Sequence, residues 1–123
     1  MSYYFRGNNY QSVSETSDMD ARLDESSKVL RKYPDRIPVI VEPATNDLEV
    51  IKKNKFIVSK DMTFGQLTYI IRKRLCVDSS VALFFTVNGN LCTSNADLST
   101  IYGENKNTDN FLYVKYSSEN TFG

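Results

Sequence analysis

The chain has 123 residues, of which 41% are hydrophobic, and its 15 basic and 15 acidic side chains cancel. This length predicts a single domain with one core, and the balanced charge argues against nucleic acid as a partner. Because the sequence contains no histidine, His-based catalysis and most zinc sites are excluded, so we expect no enzyme, no catalytic residue, no metal site and no cofactor.

The N-terminal part divides into two segments. Residues 1–17 show no hydrophobic period and are rich in Ser, Asn and Tyr, which is typical of a mobile arm. From Asp18 the pattern becomes helical, and residues 18–33 are predicted to form one helix or two short ones. Pro34 should end this segment, because the residue before a proline is disfavoured in the helical region.

Two strands and an amphipathic helix follow. Arg36–Glu42 is a nearly continuous run of strand formers, although Pro38 has no N–H and should leave the pairing imperfect there. Phe56, Ile57 and Val58 form the second strand. Thr63 and Gln66 have the spacing of a capping box. The apolar residues that come next share one helical face; they are Phe64, Leu67, Ile71 and Leu75.

The rest of the chain reads as a strand over Ala82–Val87, a hairpin at Asn88-Gly89, a short helix ending at Gly103 and a last strand over Phe111–Tyr116. This order of elements is that of an α+β ubiquitin-like β-grasp with an N-terminal helical extension. The predicted organisation is a mobile N-terminal arm (1–17), an N-terminal helical segment (18–33), the β-grasp core (34–116) and a flexible C-terminal tail (117–123).

Five runs of residues closely resemble one family. They are K-Y-P-D-R-I-P-V-I-V-E (Lys32–Glu42), K-F-I-V-S-K-D-M-T-F-G-Q-L (Lys55–Leu67), I-I-R-K-R-L (Ile70–Leu75), A-L-F-F-T-V-N (Ala82–Asn88) and F-L-Y-V-K-Y-S-S-E-N-T-F-G (Phe111–Gly123). Over roughly residues 19–123 the chain resembles the ubiquitin-like autophagy modifiers, the GABARAP-like proteins.

The resemblance implies a conjugation cycle. Gly123 would be activated by an E1-like enzyme, passed through E2-like enzymes and joined to phosphatidylethanolamine on autophagosomal membranes. Phe122 would be recognised by these conjugation enzymes, and a cysteine protease would carry out processing or deconjugation. Since no run approaches a membrane span and no secretory signal follows Met1, we expect the protein to be cytoplasmic when free and on the autophagosome membrane when lipidated.

The resemblance also implies two pockets for cargo receptors that carry aromatic-x-x-aliphatic motifs. The aromatic pocket would be lined by Glu25, Val29, Pro38, Ile40, Lys55, Ile57 and Phe111. The aliphatic pocket would be lined by Phe56, Val58, Met62, Leu67 and Ile70. Acidic residues that flank the motif would contact Arg36, Lys53 and Lys55. Strand alternation places Lys55 and Ile57 on one face, and a free strand edge would let an extended peptide add as a strand.

Alternatives remain open at this point. The chain could be a modifier attached to protein lysines or an unconjugated peptide-binding adaptor. Ser59 stands where the family usually has proline, which softens the wall of the aliphatic pocket. Tyr10-Gln-Ser-Val13 has the form of the motif itself, so the arm could occupy the groove of its own molecule or of a neighbour.

Overall fold

The computed structural model describes residues 11–45, 48, 50–78 and 80–118. These residues form four helices and five strands. In chain order they are α1 (Val13–Thr16), α2 (Met19–Lys32), β1 (Arg36–Pro43), β2 (Lys55–Ser59), α3 (Phe64–Leu75), β3 (Phe84–Val87), β4 (Asn90–Leu91), α4 (Leu98–Asn105) and β5 (Leu112–Ser117).

The five strands form one mixed sheet in the order β2-β1-β5-β3-β4. β1 and β5 pair in parallel, and the other neighbours pair antiparallel. α3 packs on one face of the sheet and α2 on the other. The predicted α+β ubiquitin-like β-grasp with an N-terminal helical extension is therefore confirmed.

The core lies between α3 and the sheet. The buried residues of α3 are the four that the spacing predicted, namely Phe64, Leu67, Ile71 and Leu75. The strand residues that join them are Ile37, Val39, Val41, Phe56, Val58, Phe85, Val87, Leu112, Val114 and Tyr116. Full burial of an aliphatic or aromatic side chain contributes roughly 1.5–3 kcal/mol, so each of these residues stabilises the fold.

The helix cap and the hairpin turn that the sequence predicted are both present in the structure. Thr63 Oγ1 accepts the Gln66 N–H, and the Gln66 side chain accepts the Thr63 N–H, which completes the capping box of α3. Asn88 and Gly89 have φ values of 52° and 81°, the positive values that a type I′ hairpin turn requires. The helix α4 differs from the prediction, because it continues through Gly103 and ends at the C-cap Lys106.

The imperfect pairing expected at Pro38 does not occur in the ladder between β1 and β2. Pro38 lies opposite Ile57 in an uninterrupted register. Backbone N–H groups of β1 point alternately to the two neighbouring strands, since Val41 N–H donates towards β2 and Ala44 N–H donates to β5. The missing N–H of Pro38 therefore faces β5, one residue before the register with β5 begins at Val39, and β2 loses no hydrogen bond.

A fully buried residue before β5, Asp109, holds α2 against the sheet. Its carboxylate accepts hydrogen bonds from Arg22 Nε at 2.8 Å, from Tyr113 Oη at 2.6 Å and from the Phe111 N–H at 2.9 Å. Its carbonyl oxygen accepts the Ser26 hydroxyl at 2.7 Å. Burial, together with the hydrogen bond to Asp109, raises the pKa of Tyr113 above its ordinary value. One residue thus anchors two successive turns of α2.

A second buried carboxylate, Glu42, anchors α1 at the end of β1. Ser12 Oγ donates to Glu42 Oε1 at 2.9 Å, and the Val13 N–H donates to Oε2 at 2.7 Å. The prediction of a mobile arm therefore differs from the structure at residues 12–17, because an acceptor thirty positions away in sequence binds this segment.

The position of α1 also bears on the motif-like sequence that begins at Tyr10. Glu42 lies opposite Lys115 of β5, whereas the strand β2 ends its register with β1 at Ile40. Val13 is bound at Glu42, and its neighbours Ser12 and Ser14 lie beside Tyr113 and Lys115, so Val13 does not fill the aliphatic pocket of its own molecule. Occupation of a neighbour's groove stays a prediction. Tyr10 lies outside the described residues.

Candidate functional site

The strand β2 lies at one edge of the sheet. The Asn54 carbonyl accepts the Val41 N–H, and the Lys60 N–H donates to the Asp35 carbonyl. Backbone groups of an antiparallel strand alternate in direction, so even-numbered residues from 54 to 60 bond towards β1. The N–H groups of Lys55, Ile57 and Ser59 then face outwards, and we call this outward side the β2 edge.

Side chains of β2 alternate as the sequence predicted. Phe56 and Val58 are buried in the core on the α3 side of the sheet. Lys55 is exposed, and Ile57 leaves 42% of its surface exposed, although it is aliphatic. Side chains of β2 can therefore meet a partner on the α2 face, whereas on the α3 face Phe56 and Val58 are covered by the core.

The structure brings the residues of the predicted aromatic pocket together between α2 and β2. Ile57 pairs with Pro38 and Lys55 pairs with Ile40, so these four share the α2 face of the sheet. Glu25 Oε1 bonds Lys55 Nζ at 2.8 Å and bridges from α2 to β2. Of the other two predicted residues, Phe111 is buried and Val29 of α2 is half-buried.

The predicted aliphatic pocket is split between surface and core. Met62 and Ile70 are half-buried and line an open pocket of about 720 Å³. Phe56, Val58 and Leu67 lie beneath them in the core, where they support the pocket. The other residues that line it are Ser59, Asp61, Thr63, Gly65, Gln66, Tyr69 and Ser94.

The predicted contacts for acidic flanks lie near both ends of β2. Lys55 begins the strand, and Lys53 lines a pocket of about 330 Å³ just before it. Arg36 pairs with Ser59 at the far end of the strand, and its guanidinium lies 5.4 Å from the centre of the Tyr33 ring. The cations therefore lie at opposite ends of a strand that is about 14 Å long.

Sequence reasoning missed two exposed residues of α3 at this site. The Arg74 guanidinium lies 5.3 Å from the centre of the Phe56 ring and lines the same pocket as Lys53. Tyr69 is 60% exposed and lines the open pocket next to Ile70. The four-residue spacing of Ile70 and Arg74 was a signal that both lie on one helical face.

Two predicted residues lie outside the described part of the chain. The description ends at Ser118, so Phe122 and Gly123 are not included. Ser117, which the sequence assigned to the tail, belongs to β5. Among the described residues, no helix is long and apolar enough to cross a membrane, and no group of acidic or cysteine side chains could hold a metal ion.

The chain is similar to one family of known proteins. The family model described as "Autophagy protein Atg8 ubiquitin like" matches residues 21–123. The chain is 47% identical over 109 residues to autophagy-related protein 8a of Arabidopsis thaliana, which covers 88% of this chain and 89% of that protein. It is 46% identical over 105 residues to autophagy-related protein 8 of Schizosaccharomyces pombe, with coverage of 85% and 87%.

Two solved structures share the fold along nearly their whole length. The crystal structure of Trypanosoma brucei ATG8 matches with a TM-score of 0.83 at 36% identity, covering 93% of this chain and 100% of that one. Plasmodium falciparum Atg8 in complex with a P. falciparum Atg3 peptide matches with a TM-score of 0.81 at 28% identity, covering 89% and 98%.

Proposed function

The chain belongs to the Atg8 family of autophagy ubiquitin-like proteins, and from that premise we propose that it is conjugated through Gly123 to phosphatidylethanolamine and binds extended peptides at the β2 edge. In this role it supports growth of the autophagosomal membrane and recruits cargo receptors. Its other partners are E1-like and E2-like conjugation enzymes and a cysteine protease.

The observation that carries the peptide-binding part is the position of β2 at the edge of the sheet, where no other described strand pairs with its outer side. Partly exposed apolar side chains lie beside this edge, with Ile57 towards α2 and with Met62 and Ile70 on the α3 side. An extended peptide can bond to the outward N–H and C=O groups of Lys55 and Ile57 and continue the sheet. Its successive side chains then point to opposite faces. An aromatic side chain would enter between α2 and β2 against Ile57, and an aliphatic one would pack on Met62 and Ile70.

The charges at the site favour acidic flanking residues. Lys53, Lys55 and Arg74 surround the start of β2, and Arg36 lies beside its end. For an aromatic side chain to enter, the Glu25–Lys55 ion pair must open or move aside. Both of its side chains are more than 40% exposed, and exposed pairs contribute about 0–1 kcal/mol, so opening costs little and frees Lys55 for an acidic residue of the partner.

A complex of a relative supports one class of partner. The P. falciparum Atg8 structure contains a peptide of Atg3 from the same organism, and that protein shares the fold along nearly its whole length. By extension, we propose that an E2-like conjugation enzyme presents such a peptide to the groove of this chain. Conjugation and cargo binding would then compete for the same site.

The lipid part of the proposal is supported by the extent of the family match, which includes Phe122 and Gly123. A glycine has no Cβ, so its backbone can enter a narrow enzyme channel. One acyl chain gives only marginal membrane binding, whereas two hold a protein stably. Phosphatidylethanolamine supplies two chains and would anchor this protein firmly.

The peptide-binding part is tested by calorimetric titration of a synthetic peptide, E-D-E-W-E-T-V-E-T-A, into the full chain. Two buried anchor side chains contribute roughly 1.5–3 kcal/mol each. Backbone and charge contacts add to this, and the ordering of the peptide subtracts from it. We therefore expect a micromolar Kd, which corresponds to a binding free energy of about 8 kcal/mol. Ile57→Asp should weaken binding at least tenfold. Val81→Asp is the matched control, because Val81 is 40% exposed, close to the 42% of Ile57, but does not line the open pocket. Equal affinity of the two variants would refute the site.

The conjugation part is tested with Gly123→Ala in cells and by membrane flotation. The fold should be unchanged, and the variant should no longer float with membranes. Phospholipase D should release the wild-type adduct; an adduct that resists it would indicate attachment to protein lysines. Absence of any thioester with an E2-like enzyme would indicate an unconjugated adaptor.

A further inference from the structure

The last outward N–H of β2 belongs to Ser59, and the structure holds it in place. Ser59 pairs with Arg36 at the end of the ladder, in a position where the alternation directs its N–H away from β1. Its carbonyl oxygen accepts the Met62 N–H at 3.2 Å. Its side-chain oxygen accepts the Asp61 N–H at 3.1 Å. Two hydrogen bonds from the following turn therefore fix the residue that carries this donor.

We propose that the Ser59 N–H donates a further main-chain hydrogen bond to the bound peptide, so that the groove recognises a longer extended segment than Lys55 and Ile57 alone would pair. This inference rests on the proposed peptide-binding function. The acceptor is the peptide carbonyl that lies two residues along from the carbonyl that bonds the Ile57 N–H, because donors two residues apart on one strand meet acceptors two residues apart on its neighbour.

The position of Ser59 connects this bond to side-chain recognition. Ser59 lines the open pocket together with Met62 and Ile70. The peptide would thus be paired with the sheet at the place where its aliphatic side chain enters the pocket. The preferred partners are peptides whose backbone stays extended through this residue, and a peptide that turns earlier loses the bond. A residue without an N–H at position 59 would remove this preference.

The expected size of the effect follows from one neutral hydrogen bond. Such a bond changes affinity by about 2- to 12-fold. Ser59→Pro removes the donor, and Ser59→Ala is the matched control that keeps the donor and removes only the hydroxyl. Proline is compatible with the preceding residue, because Val58 is already in a strand and residues before proline favour extended backbone.

A direct comparison of the two variants would combine the loss of this hydrogen bond with the effect of the proline ring on packing. The test therefore varies the peptide as well. The probe is E-D-E-W-E-T-V-E-T-A and a series in which each amide from the Trp to the residue after the Val is replaced in turn by an (E)-alkene. The alkene keeps the shape of the peptide bond and removes its carbonyl acceptor together with its N–H donor, which in a trans amide points away from β2 when the carbonyl faces it. Kd is measured by calorimetry for every pair, after circular dichroism has shown that both variants are folded.

One of the alkene peptides should bind Ser59→Ala about 2- to 12-fold more weakly than the unmodified peptide does. The same replacement should weaken binding to Ser59→Pro by less than twofold. The alkene two residues from it, at the carbonyl that bonds Ile57, should weaken binding to both. If every position affects the two variants equally, the Ser59 bond is refuted while the groove stands. If the unmodified peptide does not bind the wild-type chain, the proposed groove itself is refuted.

Discussion

Replacement of Arg22 by Met should detach α2 from the sheet and remove one wall of the aromatic pocket. Arg22 Nε bonds the Asp109 carboxylate at 2.8 Å, and the two side chains are 6% and 0% exposed. Arg22 also donates to the carbonyl of Ser17, the C-cap of α1. Arg22→Met fills a similar volume and leaves a buried carboxylate without its countercharge.

The size of the loss follows from this burial. Removal of one partner of a buried ion pair costs about 3–5 kcal/mol, because the other charge stays desolvated. The Tyr113 hydroxyl and the Phe111 N–H still donate to Asp109, which places the expected loss near the lower end, about 3 kcal/mol. Asp109→Asn in the same chain should recover at least about 1 kcal/mol, since no buried charge is then unpaired.

Urea denaturation measures this loss. With an m value of about 2 kcal/mol per molar, the midpoint should fall by about 1.5 M. The control is Lys28→Ala, which breaks the pair with Asp24 on the outer face of α2, where the side chains are 67% and 64% exposed; it should change stability by no more than about 0.5 kcal/mol. A loss below about 1 kcal/mol in Arg22→Met, or no recovery in the double variant, would refute the argument that the Asp109 charge anchors α2.

Three further predictions concern the α1 anchor, one tyrosine and two glycines. Glu42→Ala should release α1, so hydrogen exchange of the α1 amides should rise to the rate of an unprotected chain; unchanged protection would contradict the anchor. The fold raises the pKa of Tyr113, so the stabilisation by its neutral hydroxyl is complete below pH about 10 and is lost at higher pH. The melting temperature should therefore fall less steeply above pH about 10 in Tyr113→Phe than in the wild type. Gly65→Ala should destabilise the chain, because a Cβ there would lie 2.9 Å from the Ser94 Cβ. Gly103→Ala, which meets nothing within 4 Å, should stabilise α4 by about 0.4–1 kcal/mol, and calorimetry that ranks the two the other way would refute the packing argument.

The sequence by itself determined those parts of this protein that depend on neighbours within about one helical turn or one strand. The capping box of α3, its four buried residues and the hairpin at Asn88-Gly89 follow from spacing and from turn chemistry. The alternation of side chains along β2 also follows, because the period of a strand is two in any fold. These signals were enough to predict the order of elements of the β-grasp, whereas the residues of the candidate site were implied by the resemblance to the family.

The tertiary structure alone decided which distant groups meet. Arg22 and Asp109 are 87 positions apart, and Ser12 and Glu42 are 30 apart, so neither pair leaves a periodic trace in the sequence. The direction of the Ser59 N–H depends on the register of β2 against β1, and a shift of one residue would turn it inwards. Local patterns fix each element, but only packing fixes the register and the partners of buried charges.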